Sequence, residues 1–296
     1  MRLFYYLALM RPANIVTAVS DIIAGVAIAG MFAAEISLPG IYDIVYLSLS
    51  TIGLYGGGIV FNDIFDLEID KTERPERPIP SGKVPKKQAI VLGSSLFVFG
   101  IVFALLVAVN SALIAISIVI SALVYDKYAK HHLIAGPLTM GLCRGLNLLL
   151  GMSVASSGQL PELWMICFIP IVFIAAITLT SRGEVLGNNQ LSITFALTLD
   201  LLVAGTLLLL GWNGIMVFWT VFPFVTLWLA MNFYAKLKAI IINKPGNIMN
   251  AVKIGVISLI PLNASYVAGF GNWMFGLAVL SLLPVSLLLA RKFAVT

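Results

Sequence analysis

Long apolar runs, each separated from the next by a short polar connection, fill most of the chain. About 20 consecutive apolar residues cross the hydrocarbon core of a bilayer as an α-helix, and ten runs come close to that length. These runs cover residues 13–33, 41–61, 88–109, 111–125, 136–156, 162–180, 191–210, 214–234, 252–270 and 273–290. The pattern therefore predicts an all-α, polytopic membrane bundle that forms a single domain over 1–296.

The composition supports the same fold class. Of the 296 residues, 60% are hydrophobic and only 10% are charged, whereas soluble globular proteins have about 25% charged residues. A water-soluble body is excluded, because too little polar surface remains to cover it. Cys143 and Cys167 lie inside apolar runs without the spacing of a metal site or a disulfide framework, so we predict that both are packing residues.

Almost all of the basic residues lie in alternate connections. One set of connections holds Lys71, Arg74, Arg77, Lys83, Lys86, Lys87, Lys127, Lys130, Arg182, Lys236, Lys238 and Lys244. The connections near 34–40, 110, 157–161, 211–213 and 271–272 contain neither Lys nor Arg. The positive-inside rule places the first set in the cytoplasm, with both termini inside. The net charge of +5 thus indicates topology and contact with anionic membrane lipid, and not nucleic-acid binding.

Small residues at helical spacing predict close helix packing. Gly53 and Gly57 form one GxxxG pair, and Gly141 and Gly145 form another. Such pairs allow two helix backbones to approach each other closely inside a membrane.

The longest polar segment, between the second and third runs, carries the candidate chemistry. Asp63, Asp66 and Asp70 fall at i, i+3 and i+7, on one stripe of a helix, and Asn62 lies beside them. Hard oxygen ligands suit Mg²⁺, which takes one or two carboxylates together with substrate phosphates. Arg74 and Arg77 follow at once, so the segment predicts a magnesium–diphosphate site. The alternative is a solvated loop of mixed charge, which has no need of the helical stripe.

The same segment resembles the first signature of the UbiA superfamily of intramembrane prenyltransferases. It reads NDIFDLEID over 62–70 and RPIPSG over 77–82. The RPAN run over 11–14, and Tyr125 followed by Lys130, are also similar to this family. The runs CRGLN over 143–147 and SRGEV over 181–185 resemble the EboC-like branch of it.

The resemblance implies a fold and an activity. The fold is a helical bundle with a lateral opening to lipid, and nine helices are typical, so we expect nine to ten. The activity is Mg²⁺-dependent transfer of a prenyl group from a prenyl diphosphate donor to an acceptor that the sequence does not identify. The site is expected to face the cytoplasm, in the cytoplasmic (inner) membrane of a prokaryote.

The second signature of the family is altered in this chain. The family usually carries a DxxxD motif at the end of its sixth helix, and here Glu184 and Asn188 occupy those two positions. Glu184 can still ligate a metal, whereas Asn188 brings a neutral oxygen. This change weakens the case for a complete second magnesium site.

Polar residues inside the apolar runs are further candidates, since such residues usually face the interior of a bundle. Asn14 is expected to line the pocket. Arg144 either contacts an anionic substrate or pairs with Asp21 or Asp200, and structural pairing is the better interpretation of Asp200.

These arguments give two sets of site residues. The predicted metal ligands, also the predicted catalytic residues, are Asp63, Asp66, Asp70 and Glu184. The predicted substrate-binding residues are Asn14, Asn62, Arg74, Arg77, Tyr125, Lys130, Arg144, Arg182 and Asn188.

Two other function classes stay open at this point. Asp21, Arg144 and Asp200 could mark an ion or proton path of a small-molecule or ion transporter. The altered second signature could instead belong to a catalytically weak protein that binds isoprenoid diphosphate.

Overall fold

The described residues of the computed structural model, 2–32, 38–155, 162–182 and 188–293, fold into α-helices joined by short connections. In chain order the α-helices are α1 (Arg2–Met10), α2 (Pro12–Ile28), α3 (Leu38–Phe65), α4 (Leu67–Glu73), α5 (Lys86–Val107), α6 (Val109–Val124), α7 (Ala135–Met152), α8 (Phe168–Ser181), α9 (Gln190–Trp212), α10 (Phe218–Ile241), α11 (Pro245–Ile257), α12 (Leu259–Phe270), α13 (Trp273–Leu280) and α14 (Leu282–Lys292). No strand occurs in these four ranges, which confirms the all-α prediction.

Each predicted apolar run contains helix. By length and composition, eight helical segments of the described chain can cross a membrane, or nine if the bent pair α1–α2 counts as one span. Helix α7, which covers the predicted run 136–156, is not among them, because Arg144 and Asn147 lower its hydropathy. The polytopic bundle is confirmed, while the exact number of crossings stays a prediction.

Helix α2 lies at the centre of the bundle, against α3, α7, α12 and α14. Its start is set by Arg11 and Pro12, where the axes of α1 and α2 meet at 49°. Arg11 has φ 47° and ψ 71°, in the left-handed region that residues with a side chain rarely adopt. Pro12 has no backbone N–H and is favoured in the first turn of a helix. The break turns Arg11 toward α3.

The predicted glycine pairs pack as expected. A Cβ on Gly53 would lie 2.5 Å from the Leu96 carbonyl oxygen, and one on Gly141 would lie 2.6 Å from that of Ile171. The tightest crossing joins α2 and α7, where a Cβ on Gly25 would lie 2.3 Å from the Leu148 oxygen.

We expect Gly25→Ala to destabilise the protein by about 1–3 kcal/mol, because α2 and α7 must separate to admit a methyl group. Thermal unfolding of the detergent-solubilised protein measures this. Gly205→Ala in α9 is the matched control, since nothing lies within 4 Å of a Cβ there. Equal melting temperatures for the two variants would contradict the close packing.

A buried ion pair joins α9 and α10, away from the polar segment. Lys236 Nζ lies 2.5 Å from Asp200 Oδ2, and the two side chains are 1% and 0% exposed. The structural role predicted for Asp200 is therefore confirmed, but its partner is Lys236 and not Arg144. The sequence pattern predicts that Lys236 lies in a basic connection. This prediction is wrong, because α10 continues to Ile241 and carries Lys236 inside the bundle.

Candidate active site

A cavity of about 500 Å³ lies between α3, α6, α7, α8 and α11. The predicted site residues that line it are Asn14, Asn62, Asp66, Asp70, Arg74, Arg77, Tyr125, Lys130 and Arg144. Its apolar walls include Leu54, Ile59, Ile118, Ile174, Ile177 and Val252. The cavity therefore joins a charged mouth to an apolar interior, and nine of the thirteen predicted site residues line it.

The mouth is built where α3 ends and α4 begins. Helix α3 ends at Phe65, and α4 continues from Leu67 after a break at Asp66. The Asp70 backbone N–H donates to the Asp66 carbonyl at 2.8 Å, so one helical turn still separates the two carboxylates. Both carboxylates line the cavity, as the predicted stripe requires.

Basic side chains contact the three predicted metal ligands of the first signature. Arg77 Nη1 donates to Asp70 Oδ2 at 2.6 Å and lies 3.3 Å from Asp63 Oδ1. Arg11 Nη2 donates to the same Asp63 oxygen at 2.8 Å. Lys130 forms an ion pair with Asp66. These contacts relieve the mutual repulsion of the clustered carboxylates.

Asp63 differs from the other two carboxylates. It is 4% exposed and is not among the residues that line the cavity. Because Arg11 and Arg77 both contact Oδ1 of Asp63, its position suits it to hold these two cations at the mouth. Asp63 thus shares Arg77 with Asp70 but lies behind the residues that line the cavity.

A π-helical turn over Tyr125–Ala129 forms the opposite side of the mouth. The Lys130 backbone N–H donates to the Tyr125 carbonyl at 2.9 Å, an i→i+5 bond. Five residues of α-helix would place two side chains about 140° apart, whereas the wider π turn lets Tyr125 and Lys130 both line the cavity. Single π turns of this kind are frequent at functional sites.

Asp126 is a cavity residue that the sequence analysis missed. Asn62 Nδ2 donates to Asp126 Oδ1 at 2.7 Å, which connects the end of α3 to the π turn. The available signal was a carboxylate next to Tyr125 at the end of an apolar run. Asp126, Asn62, Asp66, Asp70, Glu73 and Tyr125 all carry side-chain oxygens and line the cavity.

Two predicted residues at the second signature, Arg182 and Asn188, are not brought to the mouth. Arg182 donates to the backbone carbonyls of His132 and Leu133, at 3.2 and 2.5 Å, and does not line the cavity. Asn188 is exposed with φ 59°, in the left-handed region that asparagine tolerates. Glu184 lies outside the described residues.

The described side-chain oxygens of the mouth give Mg²⁺ an incomplete set of ligands when no phosphate is present. Among the described His, Cys, Asp and Glu side chains, no three are arranged to hold a metal ion. The reason is geometric, since the Asp66 and Asp70 carboxylates are turned to Lys130 and Arg77. Because Mg²⁺ needs only one or two carboxylates when phosphates supply further oxygens, the donor set fits a magnesium–diphosphate complex.

A protein-family model described as the UbiA prenyltransferase family matches residues 23–240. The chain belongs to the UbiA prenyltransferase family. The match covers the first signature, the π turn and the altered second signature, and it ends close to the C-terminus of α10.

Curated relatives match the sequence of this chain over part of their length. One is the digeranylgeranylglyceryl phosphate synthase of Saccharolobus solfataricus, 34% identical over 152 residues, or 51% of this chain and 52% of the relative. The enzyme of the same name from Sulfurisphaera tokodaii is 30% identical over 176 residues, or 59% of this chain and 60% of the relative. The chain thus matches about half of the length of these relatives.

Solved structures share the fold. A UbiA homologue from Aeropyrum pernix has a TM-score of 0.70 at 15% identity, covering 86% of this chain and 97% of the homologue. A homologue from Archaeoglobus fulgidus, solved with GPP and Mg²⁺, has a TM-score of 0.64 at 16% identity, covering 94% and 99%. At these identities the likeness establishes the UbiA fold.

Proposed function

We propose that the chain transfers a prenyl group from an isoprenoid diphosphate to an acceptor within the membrane, in a Mg²⁺-dependent reaction. One observation carries the proposal: the mouth that holds Asp66, Asp70, Arg74 and Arg77 opens directly into an apolar cavity. A prenyl diphosphate has the same two parts, a polyanionic head and a hydrocarbon tail. The family membership and the ligands of the Archaeoglobus fulgidus homologue support the same donor.

The basic residues of the mouth bind the leaving group. Arg77 and Lys130 now contact Asp70 and Asp66, and they are close enough to the cavity to turn to diphosphate oxygens instead. Charge-assisted hydrogen bonds of this kind are short and strong. They stabilise the negative charge that develops when the bond between C1 of the prenyl group and the diphosphate oxygen breaks. The acceptor then bonds to C1 and loses a proton.

Asn62, Asp66 and Asp70 are the residues that we propose hold Mg²⁺, and Asp126 is placed to support them through Asn62. When bound, the ion supplies neutralising charge to the diphosphate oxygens. Asp63 is proposed to act indirectly, by holding Arg11 and Arg77 at the mouth. Whether Glu184 adds a further ligand stays a prediction.

The apolar walls are proposed to hold the prenyl tail and to exclude water. Ile59 and Ile118 come from α3 and α6, while Ile174 and Val252 come from α8 and α11. An allylic cation that meets water gives a hydrolysed alcohol, so a dry cavity favours transfer over hydrolysis.

The names of the curated relatives suggest an acceptor. The curated relatives carry the name digeranylgeranylglyceryl phosphate synthase, so a prenylated glyceryl phosphate is the first acceptor to test. The altered second signature at Glu184 and Asn188 motivates tests of other lipid acceptors too.

The proposal is tested with the full chain purified into lipid nanodiscs. Tritiated geranyl or geranylgeranyl diphosphate is added with Mg²⁺ and a total lipid extract, and both label in lipid and free diphosphate are measured. An enzyme gives turnover that EDTA abolishes. A binding protein saturates stoichiometrically without release of diphosphate, and a transporter gives neither signal. Asp200 is one of the residues on which the transporter alternative depends. Its pairing with Lys236 inside the bundle weakens that alternative.

We also expect the mouth and both termini to face the cytoplasm, because the connections predicted to lie outside contain no Lys or Arg. Reporter fusions at Thr296 and cysteine labelling at Lys71 in intact cells check this prediction. An external signal at Thr296 with an internal one at Lys71 would mean an odd number of crossings. Asn213→Cys, in an opposite connection, is the control for external labelling.

A further inference from the structure

Polar side chains also occur at the inner end of the cavity, far from the mouth. Thr51, Tyr55, Arg144 and Asn147 line this end, which we call the floor. Along α3, Tyr55 lies seven residues before Asn62, which corresponds to about 10 Å at the rise of an α-helix. The floor is therefore a polar site separate from the carboxylates and cations of the mouth, and the proposed donor chemistry does not use it.

The Arg144 guanidinium is held rigidly at the floor. Its Nη2 donates to Thr17 Oγ1 at 2.5 Å, and its Nη1 lies 2.9 Å from Asp21 Oδ2. Asp21 is fixed in turn by Asn147 and Asn263, which donate to its two oxygens at 2.9 and 2.7 Å. Such a network sets the direction in which the guanidinium points.

The guanidinium nevertheless keeps one donor without a protein acceptor. Arg144 is 3% exposed; its Nη1 is engaged in the ion pair with Asp21, whereas Nε donates a hydrogen bond to no described residue. A buried donor without an acceptor costs free energy, and here it belongs to a side chain that lines an open cavity. The Tyr55 ring lies 5.0 Å from the Arg144 Cζ and covers one face of the guanidinium. A ligand oxygen placed against the Nε edge would supply the missing acceptor.

The charge of the floor indicates which ligand it fits. Asp21 neutralises Arg144, so a dianion bound there would be an uncompensated charge inside the bundle. An uncharged hydroxyl or carbonyl oxygen can accept from Nε without that cost.

We propose that the floor binds the head group of the acceptor, through an uncharged oxygen that accepts a hydrogen bond from Arg144. The inference rests on the proposed transfer activity and adds the place and the chemistry of the second substrate. It requires an acceptor head whose anchoring oxygen lies about 10 Å deeper along α3 than the level of Asn62 at the mouth.

The test compares two double variants that each neutralise one buried ion pair. Asp21→Asn with Arg144→Met removes the donors at the floor without leaving a lone buried carboxylate. Asp200→Asn with Lys236→Met makes the same change at a pair that does not line the cavity. Each is purified into nanodiscs with tritiated geranyl diphosphate, Mg²⁺ and serial dilutions of a lipid extract from cells that lack the gene.

We expect the floor variant to need about tenfold more extract for half-maximal transfer, with recovery toward the parent rate at saturating extract. Its affinity for pyrophosphate with Mg²⁺ should stay within about twofold of the parent, and the control should match the parent in both measurements. An unchanged extract requirement in the floor variant would overturn the inference alone. A parallel loss of pyrophosphate affinity would assign Arg144 to the donor. No labelled lipid from the parent would overturn the proposed function, and the inference with it.

Discussion

Asp66→Asn is expected to lower the rate of prenyl transfer at least a hundredfold, which corresponds to about 3 kcal/mol of transition-state stabilisation. The Asp66 carboxylate lines the mouth and forms an ion pair with Lys130. An amide of the same shape weakens any bond to Mg²⁺ and also removes the negative charge that orients Lys130. Steady-state turnover across a Mg²⁺ titration measures the loss, and saturating metal should not restore the parent rate.

Glu68→Gln is the matched control for this variant. Glu68 lies two residues further along the same segment, but it is exposed and pairs with Lys71 at 2.8 Å outside the cavity. The Lys71 hydrogen bond lowers the pKa of the Glu68 carboxyl, so Glu68 is ionised at neutral pH and the change removes one full charge. Turnover of Asp66→Asn within threefold of Glu68→Gln, with both proteins folded, would remove Asp66 from the mechanism.

The sequence predicted the parts of the site that depend on local spacing. Asp66 and Asp70 lie one turn apart, and the Asp70 backbone N–H still donates to the Asp66 carbonyl, so their shared face follows from the α-helical repeat. The apolar runs follow from the bilayer in the same way. The glycine pairs at Gly53 and Gly141 also pack as their spacing indicates.

The parts that the sequence did not predict depend on contacts between distant segments. Asp126 reaches the mouth through the π turn, a local widening that the hydrophobic pattern does not encode. Asp63 shares the helical stripe of Asp66, but the break at Arg11 brings a guanidinium to it from another helix. Lys236 resembles a surface lysine in sequence, and only the packing of α9 on α10 reveals its partner.

The ion pairs of the mouth couple the binding of Mg²⁺ to the binding of the diphosphate. Arg77 and Lys130 hold Asp70 and Asp66, so Mg²⁺ alone must displace a cation from each carboxylate. Pyrophosphate alone must likewise draw each cation away from a carboxylate. When both are present, the carboxylates turn to the metal and the cations turn to the phosphates, and no charge is left unpaired. Each component therefore lowers the cost of binding the other.

We expect Mg²⁺ and inorganic pyrophosphate to bind the nanodisc-embedded protein with a coupling of about 100-fold, close to the upper end of typical coupling between two ligands. Magnesium pyrophosphate also forms in solution, and the Arg77→Gln variant distinguishes that reaction from coupling at the site. The variant is predicted to strengthen one kind of binding and to weaken the other. Removal of the Arg77 contacts to Asp63 and Asp70 should strengthen the binding of Mg²⁺ alone. It should weaken the binding of pyrophosphate with Mg²⁺, since a phosphate-binding cation is lost.

Isothermal titration calorimetry of each component, with and without the other, measures both signs. Lys71→Gln is the matched control, because Lys71 is also a base paired with an acid of this segment, but outside the cavity. Its titrations should match those of the parent. If Arg77→Gln weakened both kinds of binding, Arg77 would act by supporting the shape of the mouth. Exchange of ion pairs with the diphosphate would then not explain why Asp70 and Arg77 lie in contact at the entrance of the cavity.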